Sequence, residues 1–311
     1  VDRKAIEQIR AGNPRAIARA ISAVERGGAE AREVIAALYR YTGSAHLIGV
    51  TGASGTGKST LVNGIAKLYR RRGQRVGIVA VDPTSPFSGG ALLGDRLRMQ
   101  DLSGDAGVFI RSMATRGSLG GLASATADAV KVLDAAGFEI ILIETVGAGQ
   151  NEVDIAKNAH TTLVVEAPGL GDDIQAIKAG ILEVADVLIV NKADHDEVNA
   201  TVAALEMNLN LKPKNENDWR PPVLKTIATK GEGVAEVLDW IGRHRAYIEA
   251  NDLRAARERT RLRAELENVV QRELMTRLLR GVNGSKIETL VEKLAAREVD
   301  VYAAAETLIG K

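Results

Sequence analysis

Hydrophobic positions along this chain change their period twice. Between residues 1 and 42, Ile17, Ile21 and Val24, then Val34, Ile35 and Leu38, recur at three- and four-residue steps, the period of helices that bury one face. Asn13-Pro14 reads as a helix start and Gly27-Gly28 as a break. From residue 46 the period gives way to short β-rich runs at 46–51, 75–82, 108–113, 139–145, 161–167, 187–192 and 223–228, separated by helical segments. Most runs are apolar throughout, as strands are when both faces of a parallel sheet are covered. The alternation predicts an α/β fold, a doubly wound and mostly parallel sheet over residues 45–248. After Ile248, Leu262, Leu266, Val269/Val270, Leu274 and Leu278 return to near-helical spacing; Gly281-Val282-Asn283-Gly284 breaks that run, and a second helical stretch is expected over 285–309. These helices either pack on the same domain or form a dimerisation arm, and the length and high charge of the first favour the arm. The expected organisation is an N-terminal helical segment (1–44), the α/β domain (45–248) and a C-terminal helical arm (249–311).

Where the first strand run ends, the sequence reads Gly52-Ala53-Ser54-Gly55-Thr56-Gly57-Lys58-Ser59-Thr60, and an apolar helical run follows. This is G-x-x-x-x-G-K-[ST] in strand–loop–helix context. Glycines let the backbone curl so that amides of the loop, through Thr60, converge on phosphate oxygens at a helix start. Lys58 can reach the β- and γ-phosphates and the Ser59 hydroxyl can bind Mg²⁺. A turn that holds nothing is the bland alternative, and the correct flanks argue against it. A nucleoside triphosphate is the expected ligand.

Composition narrows the partners. With 41 Lys plus Arg against 40 Asp plus Glu, the formal charge is +1, which gives no electrostatic reason to expect nucleic acid or an anionic membrane. There is no cysteine, so disulfides and thiolate metal sites are excluded. His46, His160, His195 and His244 form no ligand pair at helical spacing and are read as structural or surface residues. No apolar stretch approaches a membrane span and no secretory signal opens the chain, so a cytoplasmic location is expected. The opening at Val1 leads us to expect a natural start further upstream.

Three further segments carry candidate chemistry. Asn191-Lys192-Ala193-Asp194 follows the apolar run VADVLIV. In N-K-x-D the Asp carboxylate accepts hydrogen bonds from guanine N1–H and the N2 amine, and such a paired site rejects adenine. Ala228, Thr229 and Lys230, after the next strand, are candidates to present backbone amides to the guanine O6. Glu144 and Gly147 end the run FEIILIE. Glu144 can hold Mg²⁺ directly or through water, the Gly147 amide can touch a γ-phosphate, and the bland reading of Glu144 is a carboxylate that caps the next segment. Asp82, at another strand end, and Asp95, beyond Gly89-Gly90, are candidates for the metal or the attacking water, although loop Asp residues are often turn formers. Arg98 and Arg116 could offset phosphate charge or lie on the surface. Ala148 follows Gly147 where Ras-type switches carry a water-orienting Gln, and Gln150 comes two places later. Slow intrinsic hydrolysis, raised by a partner, is therefore expected.

Four longer blocks resemble one family. VDPTSPFSGGALLGDRLRM (81–99), TRGSLGG (115–121), ETVGAGQNE (144–152) and PGLGDDIQAIKAGILEVAD (168–186) are similar to the MeaB/MMAA-type accessory GTPases of adenosylcobalamin-dependent acyl-CoA mutases. These are relatives of the metallocentre-assembly GTPases and were once described as lysine/arginine/ornithine transport kinases. The resemblance runs over about residues 12–245 and weakens over the C-terminal helices, where the family is known for a dimerisation arm. It implies a mostly parallel P-loop GTPase sheet flanked by helices, usually a homodimer. It also implies GTP/GDP and Mg²⁺ as ligands, and hydrolysis that gates cobalamin delivery to, and protection or reactivation of, the mutase. Ser59, Asp82, Asp95 and Glu144 would then surround Mg²⁺ and the attacking water, with Lys58 and Gly147 at the phosphates and Asp194 on guanine. Asp173, Gln175 and Lys178 match polar positions of the family's third switch. Ser54 replaces the usual Pro of the phosphate loop, which bears on loop rigidity rather than on phosphate binding, and Asn151 stands where many relatives carry Ser. Two rival readings are a nickel metallocentre-assembly GTPase, disfavoured by the absence of Cys and of a His cluster, and a kinase acting on a transport protein.

Overall fold

The computed structural model describes residues 2–83, 100–102, 104–115, 121–145, 159–169, 181–211, 218–281 and 284–309. Three helices open the chain: α1 (Arg3–Arg10), α2 (Pro14–Arg26) and α3 (Gly28–Leu38). Asn13 caps α2 by accepting from the Arg15 and Ala16 amides at 3.0 and 3.1 Å, and Pro14 occupies the first helical position, where no amide is needed. Gly27, at φ 73°, separates α2 from α3 in the left-handed region that a side chain disfavours.

Seven strands follow: β1 (His46–Thr51), β2 (Val76–Pro83), β3 (Val108–Thr115), β4 (Ile140–Thr145), β5 (Thr161–Glu166), β6 (Val187–Asn191) and β7 (Val223–Thr226). They form one sheet in the order β3-β2-β4-β1-β5-β6-β7, every pairing parallel. Interspersed are α4 (Lys58–Arg71), α5 (Gly121–Ala135), α6 (Ile181–Val184), α7 (Val198–Asn210) and α8 (Val234–Ala250). The expected strands are all present, within two residues of their expected bounds. Alternate residues of each apolar run serve opposite faces. Leu47, Ile141 and Ile143 pack with α1, α2, α3 and α5, while Ile48, Val50, Ile140 and Leu142 pack with α4 and α8. A third cluster joins Val164, Leu188 and Val190 to α7. The N-terminal helices thus complete the core of the sheet, and Arg111 on the edge strand β3 reaches Glu25 and Ser22 of α2. Connections diverge to either side of β1, so its C-terminal end opens a crevice at the place where the strand order reverses.

The chain divides into two compact units, residues 1–258 and 259–311. Helix α9 (Leu253–Gly281) begins in the first. Within the second, α9 is followed by α10 (Gly284–Ala295) and α11 (Val301–Ile309). The single helix expected over 285–309 is therefore two. Arg297 turns left-handed at φ 59°, and Asp300 caps α11 through the Tyr302 and Ala303 amides at 2.8 and 3.1 Å. No Gly or Pro marks that break, so periodicity alone ran through it.

Candidate functional site

Gly52, Gly55 and Gly57 hold φ values of 137°, 81° and 93°, and two of the three also lack room for a side chain. A Cβ on Gly52 would stand 2.0 Å from the Val165 carbonyl oxygen, and one on Gly57 would stand 2.3 Å from Asn191 Nδ2. Gly57 is the N-cap of α4 and, having no side chain, supplies no side-chain acceptor to the first-turn amides. Lys58 is buried at the root of the loop, its Nζ donating to the Gly52 and Ala53 carbonyls at 2.7 and 2.8 Å. The Thr56 hydroxyl closes the loop on itself by donating to the Ala53 carbonyl at 3.0 Å, while Ser54 and Gly55 are exposed at its rim and Thr60 is half-buried in the first turn of α4.

Ser59 and Glu144 meet beneath this loop. The Ser59 hydroxyl donates to Glu144 Oε1 at 2.6 Å, and both side chains are buried, at 5% and 1% exposure. Glu144 precedes the last residue of β4 and faces α4, so the sheet register puts an acidic oxygen against the first turn of the loop helix. Asp82 lies near the end of β2, level with Ala114 of β3. Only its backbone is described. Asp95, Gly147, Arg98, Arg116, Ala148, Gln150, Asn151, Asp173, Gln175 and Lys178 lie outside the described residues.

Asn191 joins the loop to the second candidate segment. Its Nδ2 donates to the Thr56 carbonyl at 2.8 Å, and its Oδ1 accepts from the Thr226 hydroxyl and the Ala228 amide, each at 3.0 Å. Lys192 then turns left-handed at φ 57°, the Ala193 amide donates to the Thr226 carbonyl at 3.0 Å, and Asp194 emerges exposed. In the adjoining turn the Lys230 amide is held by the Ile227 carbonyl at 2.9 Å. The Ala228 amide is committed to Asn191, whereas the Thr229 amide donates to nothing among the described residues. An internally braced, amide-lined cradle therefore shares one edge with an outward carboxylate, an arrangement suited to a nucleotide gripped at both ends.

The comparisons with known proteins decide the family. Residues 17–283 match the model of the methylmalonyl Co-A mutase-associated GTPase MeaB. The chain belongs to the MeaB family. With the family comes the class of enzyme: a P-loop GTPase. Among its relatives, a Pyrococcus abyssi protein named as a GTPase is 46% identical over 306 residues, spanning 98% of this chain and 94% of the relative. The mouse mitochondrial protein named methylmalonic aciduria type A homolog is 36% identical over 231 residues, 73% of this chain and 56% of that protein. The crystal structure of a LAO/AO transport system kinase superposes with a TM-score of 0.76 over 99% of this chain and 97% of that one, at 23% identity. That likeness is one of fold.

One cluster in this MeaB-family chain escaped sequence reasoning. Three of the four histidines gather at the opposite, N-terminal edge of the sheet. His46 and His160 lie 5.5 Å apart between ring centroids. Thr161 Oγ1 bridges His46 Nε2 at 3.0 Å and His244 Nδ1 at 2.9 Å, and His244 Nε2 lies 3.1 Å from Asp186 Oδ1. Asp186 accepts from the Thr162 amide at 2.8 Å and from both terminal nitrogens of Arg257, on α9, at 3.1 and 2.9 Å. Burial, helped by the neighbouring His160, lowers the His46 pKa from 6.5 to about 2. Burial pushes the Asp186 carboxyl up, but the bonds from His244 and Arg257 outweigh it and hold the group below the usual carboxylate value. His195 stands apart, exposed.

Proposed function

We propose that this chain is a Mg²⁺-dependent guanine-nucleotide switch that gates cobalamin loading, protection and reactivation of an adenosylcobalamin-dependent acyl-CoA mutase. The observation that carries the catalytic part is the buried Ser59–Glu144 contact at the root of the phosphate loop. Among the described residues no group of three or more His, Asp or Glu side chains is arranged to hold a metal ion, and this hydroxyl and carboxylate are hard-oxygen donors. They fit Mg²⁺. Once bound, the ion would offset charge on the β- and γ-phosphate oxygens.

The remaining roles belong to the protein's own groups. Loop amides from Ser54 to Thr60 cradle the phosphates at the start of α4. Lys58 exchanges its Gly52 and Ala53 carbonyl partners for phosphate oxygens. Asp194 reads guanine N1–H and N2, Lys192 flanks the base, and the Thr229 amide meets O6 while Ala228 keeps Asn191 in place. Asp82 and Asp95 complete the metal and water surroundings, with Gly147 at the γ-phosphate. Catalysis is by positioning and electrostatics. The mutase assignment is supported by the family's name and by that of the mouse relative. A homodimer is supported by Leu266, Val270 and Leu274, which expose 64%, 45% and 61% of their surface along one stripe of α9. No described helix is long and apolar enough to cross a membrane, and with no basic excess the expected partners include neither membrane nor nucleic acid. A cytoplasmic site of action accords with such a client. Affinity capture from the native host on the chain loaded with a non-hydrolysable GTP analogue tests the client assignment. Recovery of an acyl-CoA mutase that accelerates GTP hydrolysis supports it, and a recovered mutase that leaves the rate unchanged contradicts it.

A further inference from the structure

On β1, β2 and β4 the face of the sheet under α5 and the N-terminal helices buries the apolar Leu47, Val79, Val81, Ile141 and Ile143. At its last rung on β1 and β4 it turns polar. Thr51 and Thr145 stand side by side, exposed by 0% and 3%, one register step beyond the paired Val50 and Glu144. The Thr145 hydroxyl donates to Thr51 Oγ1 at 3.1 Å. Packing does not call for hydroxyls here. Valine has the same shape, and replacing both partners of a buried hydrogen bond by apolar groups of that shape is close to neutral or stabilising.

What the pair does is visible from its neighbours. Thr51 is the residue from which the phosphate loop departs, and the next two carbonyls, of Gly52 and Ala53, hold Lys58. Thr145 follows Glu144, whose carboxylate meets Ser59 on the opposite face of the sheet. Two consecutive residues of β4 thus grip both ends of the loop, Thr145 its entry and Glu144 its exit. We propose that the Thr51–Thr145 hydroxyl pair is a positioning device for GTP hydrolysis, fixing the height of the loop stem against β4 and with it the placement of Glu144 and Ser59. Thr51 and Thr145 act through those residues and do not themselves touch the nucleotide. The inference rests on the proposed roles of Ser59 and Glu144.

The test compares Thr145→Val, Thr145→Ser, Thr51→Val and the double variant Thr51→Val/Thr145→Val in the full chain. It measures kcat and KM for GTP with Mg²⁺, GDP affinity in the presence of a chelator, and Tm. Losing one hydrogen bond's worth of placement predicts a kcat about ten-fold lower for Thr145→Val, with chelator-measured GDP affinity unchanged within about two-fold. Thr145→Ser keeps the hydroxyl and restores the rate. The double variant is no slower than either single, since one interaction is removed once, and its Tm equals or exceeds that of the wild type while its kcat stays low. An unchanged kcat, or kcat and GDP affinity falling in parallel without rescue by Ser, overturns the inference. Should Thr145→Val not fold, Thr51→Val carries the same comparison. If the wild type hydrolyses GTP but Ser59→Ala and Glu144→Gln leave its rate intact, the reading of the site fails. If those two variants are slow and Thr145→Val is not, only the positioning role fails.

Discussion

Within Asn191-Lys192-Ala193-Asp194 the first side chain points inward and the last outward, and the left-handed turn at Lys192 lies between them. Asn191 is almost fully buried and makes three bonds to two segments distant from each other in sequence, one at Thr56 and one spanning Thr226 and Ala228. Asn191→Ala deletes all three bonds. At about 1 kcal/mol each, GDP affinity is expected to fall roughly 100-fold, and calorimetry showing an unchanged affinity would remove Asn191 from its bridging role. Gly57→Ala attacks the same junction from the loop side, because its Cβ would meet Asn191 Nδ2 at 2.3 Å in a backbone conformation that disfavours any side chain. Its loss of GDP binding should match or exceed that of Asn191→Ala in the same titration. The sequence carried both motifs in legible form but not the bond between them. Asn191 reaches a loop 135 residues earlier, and no spacing rule encodes that contact.

At the scale of elements, continuous apolar runs gave the strands, and Asn13-Pro14 and Gly27 gave the helix bounds, because those signals are local. The histidine cluster was illegible for the opposite reason. His46, Thr161, Asp186, His244 and Arg257 come from three strand ends and two helices, and only the assembled sheet brings them together. Asp186 is the anchor, holding the start of α9 through Arg257. Arg257→Ala leaves that carboxylate buried without its two bonds from the guanidinium. Discounted for the partial exposure of Arg257, the expected destabilisation is about 2 kcal/mol, read as a lower urea midpoint. Asp186→Asn/Arg257→Ala, which removes the stranded charge, should recover part of it. Equal midpoints for wild type and Arg257→Ala would contradict the anchoring role.

Across the whole molecule the same cluster sets a sensitivity to acid. His46 is neutral when folded, its pKa lowered from 6.5 to about 2, so the unfolded chain binds the extra proton. Stability is then full above 6.5 and declines as the pH falls through the window down to about 2, at about 1.4 kcal/mol per unit for one proton. The depressed Asp186 carboxyl adds its share only below its ordinary value of 3.8. Urea midpoints measured between pH 7 and 5 should therefore fall, and the slope should flatten in His46→Gln, whose side chain takes up no proton. Identical slopes would contradict the assignment of the effect to His46. The phosphate loop lies at the opposite edge of the sheet from this cluster, so acid weakens the scaffold before it alters the site.

The joint reading of phosphate loop and outward Asp194 is tested most directly by calorimetric titration with Mg²⁺ of the wild type and Asp194→Asn, each against GDP, ADP and xanthosine diphosphate. The wild type is expected to bind GDP and to reject ADP by on the order of 10⁴-fold. Asp194→Asn should lose GDP and gain the xanthine nucleotide, whose base presents a carbonyl where guanine presents its amine. Wild type that binds ADP as tightly as GDP, or Asp194→Asn that keeps its preference for GDP, would contradict the account.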